Sequence, residues 1–267
     1  MNIIHRISFS KDENLFYQFE KNNIKIKKGL INYFDIGEND KNWSFVKSLI
    51  RKYSTVIFDN QYKTEFSKKE FDQAACFILT PEWHFEYPQP EEDFGYQHLT
   101  YDDSFACYSC GVGFRRKNLF KLKREPDWGK RDIVQLNWVF DEFFVSKRLK
   151  EQLINRFNIN SFDVIKYKKE EVFNNIFNIQ ISDMVSIINK EMLEYKRCPI
   201  CGKIKYKSCT NGFYPCIRNS DACIVKTEEY FGSGKSAFQR IIINRDMYEF
   251  FITNNIKGIG FIPMKIY

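Results

Sequence analysis

The chain predicts an α+β fold of mixed sheets and short helices, and three observations carry that expectation. Short strand-like apolar runs are interspersed with brief helical stretches along its 267 residues. Two CxxCG segments, Cys107-Tyr-Ser-Cys110-Gly111 and Cys198-Pro-Ile-Cys201-Gly202, predict a zinc-ribbon-like subdomain. A strand, a capped helix and a second strand occur twice in the C-terminal half. With 43% hydrophobic and 17% aromatic residues, the chain has enough apolar surface to fill a core.

The elements follow in order. Ile24 to Ile36 reads as a strand, Trp43 to Tyr53 as a helix and Ser54 to Phe58 as a short buried strand. Ser67 and Glu70 form a capping box ahead of Phe71, Ala74 and Ala75: the serine bonds the third amide of the turn while the glutamate reaches back to the cap, so a short helix is expected. Pro81, Pro88 and Pro90 then break any regular helix and leave an extended aromatic loop.

Further on, Phe143-Phe144-Val145 leads to Ser146 as a cap, then Leu149, Leu153 and Ile154, then an apolar run from Phe162 to Tyr167. The second unit is Ile241-Ile242-Ile243, Asn244 as a cap, Met247, Phe250 and Phe251, the stop Lys257-Gly258, and Phe261 to Ile266. In both, the first apolar helix position lies three residues after the cap and another lies seven after it, which reads as an internal duplication that builds core. The expected boundaries are an N-terminal α+β region over 1–100, a knuckle region with an inserted strand–helix–strand unit over 101–230, and a C-terminal unit over 231–267, packed as one compact body.

Charge is distributed unevenly. The whole chain carries +7, yet residues 81–103 hold seven acidic side chains and no lysine or arginine. No export signal opens the sequence and no eighteen apolar residues run together, so the expectation is a cytoplasmic protein without a membrane partner. Its eight cysteines then stay reduced, and CxxC pairs read as metal ligands before disulfides.

Two thiolates three positions apart in a tight turn present both sulfurs to one ion, and the following glycine supplies the permissive backbone. Cys107, Cys110, Cys198 and Cys201 together make a four-sulfur set with no open coordination position, which is the arrangement of structural zinc (Zn2+). The 87 residues between the knuckles make the metal a staple between distant stretches. Cys209, Cys216 and Cys223 recur every seven residues, which is not knuckle spacing; they read as buried free thiols, with a second metal site using one of them as the alternative.

Other motifs imitate chemistry. His84-Phe-Glu86 followed by Cys107 and Cys110 resembles a zinc deaminase signature, but prolines break the first motif and glycines the second, and the usual proline before the cysteine pair is Ala106. Gly232-Ser-Gly-Lys-Ser236 imitates the end of a phosphate-binding loop, but Glu229 stands where the first glycine belongs, so the stretch reads as a flexible loop. With three histidines in the chain, acid–base catalysis has few candidates.

The knuckles, the stretch Leu136-Asn-Trp-Val-Phe-Asp-Glu-Phe-Phe-Val-Ser146 and the closing Ile256-Lys-Gly-Ile-Gly-Phe-Ile-Pro263 resemble the double-CxxCG motif family, immunity proteins of bacterial polymorphic toxin systems. The resemblance covers roughly the C-terminal two-thirds of the chain. It implies a non-enzymatic protein that binds a cognate toxin domain and blocks it by occlusion. On the residues, Trp83, Glu86, Tyr87, Glu91, Glu92, Asp93 and Tyr96 in the acidic, aromatic segment are the expected partner surface: the rings supply rigid anchors, and the acids steer a basic face. The competing expectation is a ribbon that binds nucleic acid through Arg115, Arg116, Lys117, Lys121, Lys123, Arg124, Lys203, Lys205 and Lys207, with a deaminase-like enzyme as the remote alternative. Neither the toxin nor the oligomeric state is read from the residues.

Overall fold

The structure, a computed structural model, describes residues 1–209, 211–218 and 220–264. Its contacts divide the chain into two compact units, Met1–Gln73 with Cys209–Phe213, and Ala74–Ser208 with Tyr214 onward. The division by contacts falls after Gln73, where the sequence reading set its first boundary near residue 100. The physical reason is that Cys76–Pro81 pairs with strands from the far C-terminus, which draws the chain from Ala74 on, Cys209–Phe213 apart, into the second unit.

In the first unit, β1 (Asn2–Phe9) is followed by α1 (Glu13–Lys21), β2 (Asn32–Gly37), α2 (Trp43–Lys52), β3 (Ile57–Glu65) and α3 (Lys68–Gln73). The strands form an antiparallel sheet in the order β2-β1-β3. Leu15 and Phe19 of α1 and Val46 and Leu49 of α2 are buried with Ile7, Phe9 and Phe34 of the sheet. Helix α1 escaped the sequence reading although Asp12 caps it, its carboxylate accepting from the amide of Leu15 at 3.0 Å. The capping box is as expected: the Ser67 amide donates to Glu70 at 2.7 Å, and the Glu70 amide donates to the Ser67 hydroxyl at 3.4 Å.

Two expected strands are shorter than their apolar runs. From Ile24 the chain doubles back through Gly29, with Lys27 and Tyr33 exchanging backbone hydrogen bonds, and only Asn32–Gly37 joins the sheet. The strand expected from Ser54 begins at Ile57, and Phe58 is exposed because neighbouring strand residues face opposite ways. His5 is buried, bonded to Asp59 at 2.8 Å and Glu38 at 3.1 Å and stacked on Trp43.

The second unit runs β4 (Cys76–Pro81), β5 (His84–Phe85), α4 (Tyr96–Thr100), β6 (Tyr101–Asp102), β7 (Arg115–Arg116), β8 (Lys121–Leu122), β9 (Ile133–Leu136), β10 (Phe144–Val145), α5 (Lys147–Phe157), β11 (Ser161–Lys166), β12 (Val172–Ile179), β13 (Met184–Val185), β14 (Tyr195–Arg197), β15 (Ile204–Tyr206), β16 (Ile224–Phe231), β17 (Phe238–Asn244), α6 (Arg245–Thr253) and β18 (Ile259–Pro263). One mixed sheet has the order β5-β9-β10-β12-β11-β8; another has the order β14-β15-β16-β17-β4-β18, with β13 against β16. The fold is α+β with mixed sheets and few short helices, as the sequence predicts. The segment expected as an extended loop contains α4, which starts beyond the last of its prolines. No helix among the described residues is long and apolar enough to cross a membrane.

Both strand–helix–strand units form. Ser146 Oγ accepts from the Leu149 amide at 3.3 Å and Asn244 Oδ1 from the Met247 amide at 3.0 Å, while Leu149, Leu153, Met247 and Phe251 are all buried. In each unit the two strands flank a third that is antiparallel to both, giving β10-β12-β11 and β17-β4-β18. The central strand comes after the unit in the first case and far before it in the second. At matching central positions stand Asn178, between Phe144 and Phe162, and Ile78, between Ile242 and Ile262. The second unit's last strand ends at Pro263, and Ile266, where the expected run closed, lies outside the described residues.

Candidate metal centre

Each knuckle caps a hairpin. Strands β6 and β7 pair Tyr101 with Arg116 and Asp102 with Arg115, leaving Cys107 to Gly111 at the tip; β14 and β15 do the same for Cys198 to Gly202. Two backbone bonds repeat in both knuckles. The first cysteine's amide donates five residues ahead, Cys107 to Val112 and Cys198 to Lys203, both at 2.9 Å. The glycine amide returns to the first cysteine's carbonyl, Gly111 at 2.7 Å and Gly202 at 2.9 Å. Closing that turn needs a left-handed residue after the second cysteine, and Gly111 (φ 79°) and Gly202 (φ 70°) provide it.

The two tips bring their sulfurs together. Cys107 Sγ lies 3.9 Å from Cys198 Sγ, Cys110 Sγ lies 3.7 Å from Cys201 Sγ, and all four sulfurs fall within 4.8 Å of one another. A tetrahedron of sulfurs with metal–sulfur bonds of about 2.3 Å has edges of about 3.8 Å, so the cluster has the dimensions of a four-thiolate site. Cys107, Cys110 and Cys198 are buried, while Cys201 is exposed. In the thiol form, backbone amides of Cys110 and Ser109 aimed at Cys107 lower its pKa, and those of Cys201 and Ile200 hold Cys198 at about 6. Burial instead pushes Cys110 up to about 12. A bound cation would relieve that penalty by keeping the sulfur ionised.

A side chain that the sequence reading offered to a nucleic-acid face supports the site from behind. Lys205 is buried, and its ammonium donates to the carbonyls of Cys110 (2.7 Å), Gly234 (2.7 Å) and Ser236 (2.8 Å). Desolvation lowers its pKa, opposed by the charge of the Cys110, Cys198 and Cys107 sulfurs. Gly232 to Ser236, the stretch that imitates a phosphate loop, connects β16 to β17 and serves here as a buttress for the first knuckle. The contact is close: a Cβ on Gly111 would stand 2.1 Å from the carbonyl oxygen of Lys235, whereas one on Gly202 would meet nothing within 4 Å. The signal for Lys205 in the sequence was its place between Ile204 and Tyr206 on a strand four residues after Cys201.

The other candidates disperse. His84 lies on β5 and belongs to no metal-competent group among the described residues, and Glu86 pairs with Arg124 at 2.5 Å. Cys209 falls in the first unit, with Cys216 and Cys223 in the second. All three are half-buried and none joins a metal-competent group among the described residues, which corrects the expectation of full burial.

Of the expected partner surface, Trp83 packs edge-on against Trp128 with Arg131 over its face. Tyr87 packs on Trp138, and Tyr96 is buried with its hydroxyl donating to the Trp138 carbonyl. Trp83 and Tyr87 are half-buried, and Tyr96 is fully packed. Glu91 pairs with Lys123 at 3.3 Å, and Glu92 and Asp93 are exposed together with Phe94.

No family model, curated protein or solved structure matches the chain.

Proposed function

We propose that the chain is an immunity protein that binds a cognate bacterial toxin domain in the cytoplasm and neutralises it by occlusion, with zinc as a structural staple and no catalysis of its own. The observation that carries the reading is a closed donor set, four sulfurs at tetrahedral spacing that leave a metal no open position, at the tips of two hairpins, the first of which follows the exposed Glu92, Asp93 and Phe94 in sequence. Cys107, Cys110, Cys198 and Cys201 would hold the ion, and it would supply cross-linking alone. Glu92, Asp93 and Asp103 are solvent-facing acids, and Phe94 and Tyr108 are exposed rings beside them in sequence.

Two measurements test this. Elemental analysis of purified protein is expected to give one zinc per chain; a zinc-free preparation that folds normally overturns the staple. Co-expression with a cognate toxin domain, sought first in the neighbouring gene, is expected to protect the cell, and Glu92→Lys with Asp93→Asn to weaken toxin binding about tenfold at low salt. Unchanged affinity removes this surface.

A second reading rests on β14, where Tyr195, Lys196 and Arg197 are all exposed beside the second knuckle, as a nucleic-acid face would require. Titration with single- and double-stranded oligonucleotides separates the two, because a nucleic-acid binder shows steep salt dependence and an immunity protein shows none.

A further inference from the structure

Beside the first knuckle lies a cleft of ≈ 620 Å³, a size that falls within the range of about 300–1,000 Å³ of sites that take organic ligands. Its walls are aromatic: Phe94 and Trp138, with ring centroids 4.5 Å apart, and Tyr101, Tyr108, Phe140 and Tyr230. Asp141 also lines it, and Asp93 stands exposed at its edge.

The charges around Asp141 are unevenly shared. Two cations lie close by, and both turn to the neighbouring Glu142: Lys226 at 2.8 Å and Arg116 at 4.0 Å. Among the described residues, no lysine or arginine makes an ion pair with Asp141, whose carboxylate accepts from its own backbone amide and that of Gln239. Burial raises its pKa, the nearby charge of Lys226 works against that rise, and the charge of Glu142 adds to it. The basic side chains lining the cleft are His98, which faces Asp103 at 3.6 Å, and the exposed Lys235. A carboxylate set among π faces is the recognition chemistry of an organic cation.

We propose that this cleft binds an organic cation, and that its occupant is the guanidinium of an arginine side chain presented by the protein partner. Arginine fits better than lysine because its planar group stacks on rings while pairing with a carboxylate, and because it gives up hydration more readily. A protein source fits because the cleft is larger than one guanidinium and admits the flanking chain, and because the exposed acids Glu92, Asp93 and Asp103 complement a basic surface. The protein source rests on the immunity reading; the cation rests on the cleft alone.

Calorimetric titration of the full chain with acetyl-Gly-Arg-Gly-amide and with its citrulline counterpart, similar in shape but uncharged, tests the cleft without any toxin. The arginine peptide is expected to bind about tenfold more tightly and to change tryptophan fluorescence through Trp138. Asp141→Asn is expected to abolish the difference between the peptides while metal content stays unchanged. Phe94→Asn, at an exposed position whose φ of 56° suits asparagine, is expected to weaken arginine binding about threefold and decides the matter should the first variant misfold. Equal affinity for the two peptides, or no binding of either at about 10 mM, overturns the proposal. Discrimination between the peptides by a chain that gives no protection against the toxin upholds the cleft and discards the partner.

Discussion

At the scale of single residues, Lys205 and the two knuckle glycines separate local geometry from support. A four-thiolate site around a divalent ion carries a net charge of −2, and the buried ammonium of Lys205 offsets part of it while satisfying three carbonyls. Lys205→Met therefore removes a charge and strands three acceptors, and thermal denaturation is expected to show a loss of about 2–4 kcal/mol. Gly202→Ala meets only the left-handed backbone penalty of about 1 kcal/mol. Gly111→Ala adds a collision with the Lys235 carbonyl and is expected to cost about 3 kcal/mol or more in the same measurement. The four ligands were legible because a CxxCG turn is a purely local device. Lys205 was not, because its acceptors come from stretches that sequence distance hides: Cys110 lies 95 residues away and Gly234 lies 29.

Among the elements, the two capped helices were legible from Ser146 and Asn244, since a cap and the apolar positions three and seven residues on define a helix start without tertiary knowledge. Ser146→Ala and Asn244→Ala are each expected to cost about 1 kcal/mol, read from the denaturant midpoint. What remained hidden is the central strand of each unit. It arrives after the helix in β12 and long before it in β4, and no periodicity encodes which distant strand will fill a gap. The match also hides a chemical difference. Ile78 is simple core, whereas Asn178 is fully buried and donates to Glu142 and to the Phe143 carbonyl at 3.0 Å each, with Arg116 donating to it in turn. Through Glu142 the network reaches Lys226 on β16, so one buried polar chain ties the two sheets of the second unit together. The cleft was likewise invisible, because its lining comes from four separate stretches within 93–101, 108–114, 138–141 and 230–237.

For the whole molecule, the units carry separate cores, and the sulfur cluster belongs entirely to the second. On the zinc reading proposed above, a chelator is expected to accelerate amide exchange over 101–116 and 195–206 while leaving β1, β2 and β3 as protected as before, a pattern that hydrogen-exchange mass spectrometry resolves. Uniform deprotection of both units would show that the staple holds more than its own unit. The acidic stretch was legible as charge and as aromatic content, but not as surface. Most of its rings turned inward, and several of its acids found bases, because a segment rich in aromatic side chains gains more from packing than from waiting exposed for a partner.

The sulfurs that meet at the centre are 91 positions apart along the chain. A ribosome moving at roughly 5–20 residues per second therefore releases the first pair some 5–18 s before the second. Through that interval Cys107 and Cys110 are a bare pair of thiols, open to oxidation and to capture by any thiophilic ion until the remaining half of the sulfur cluster is made.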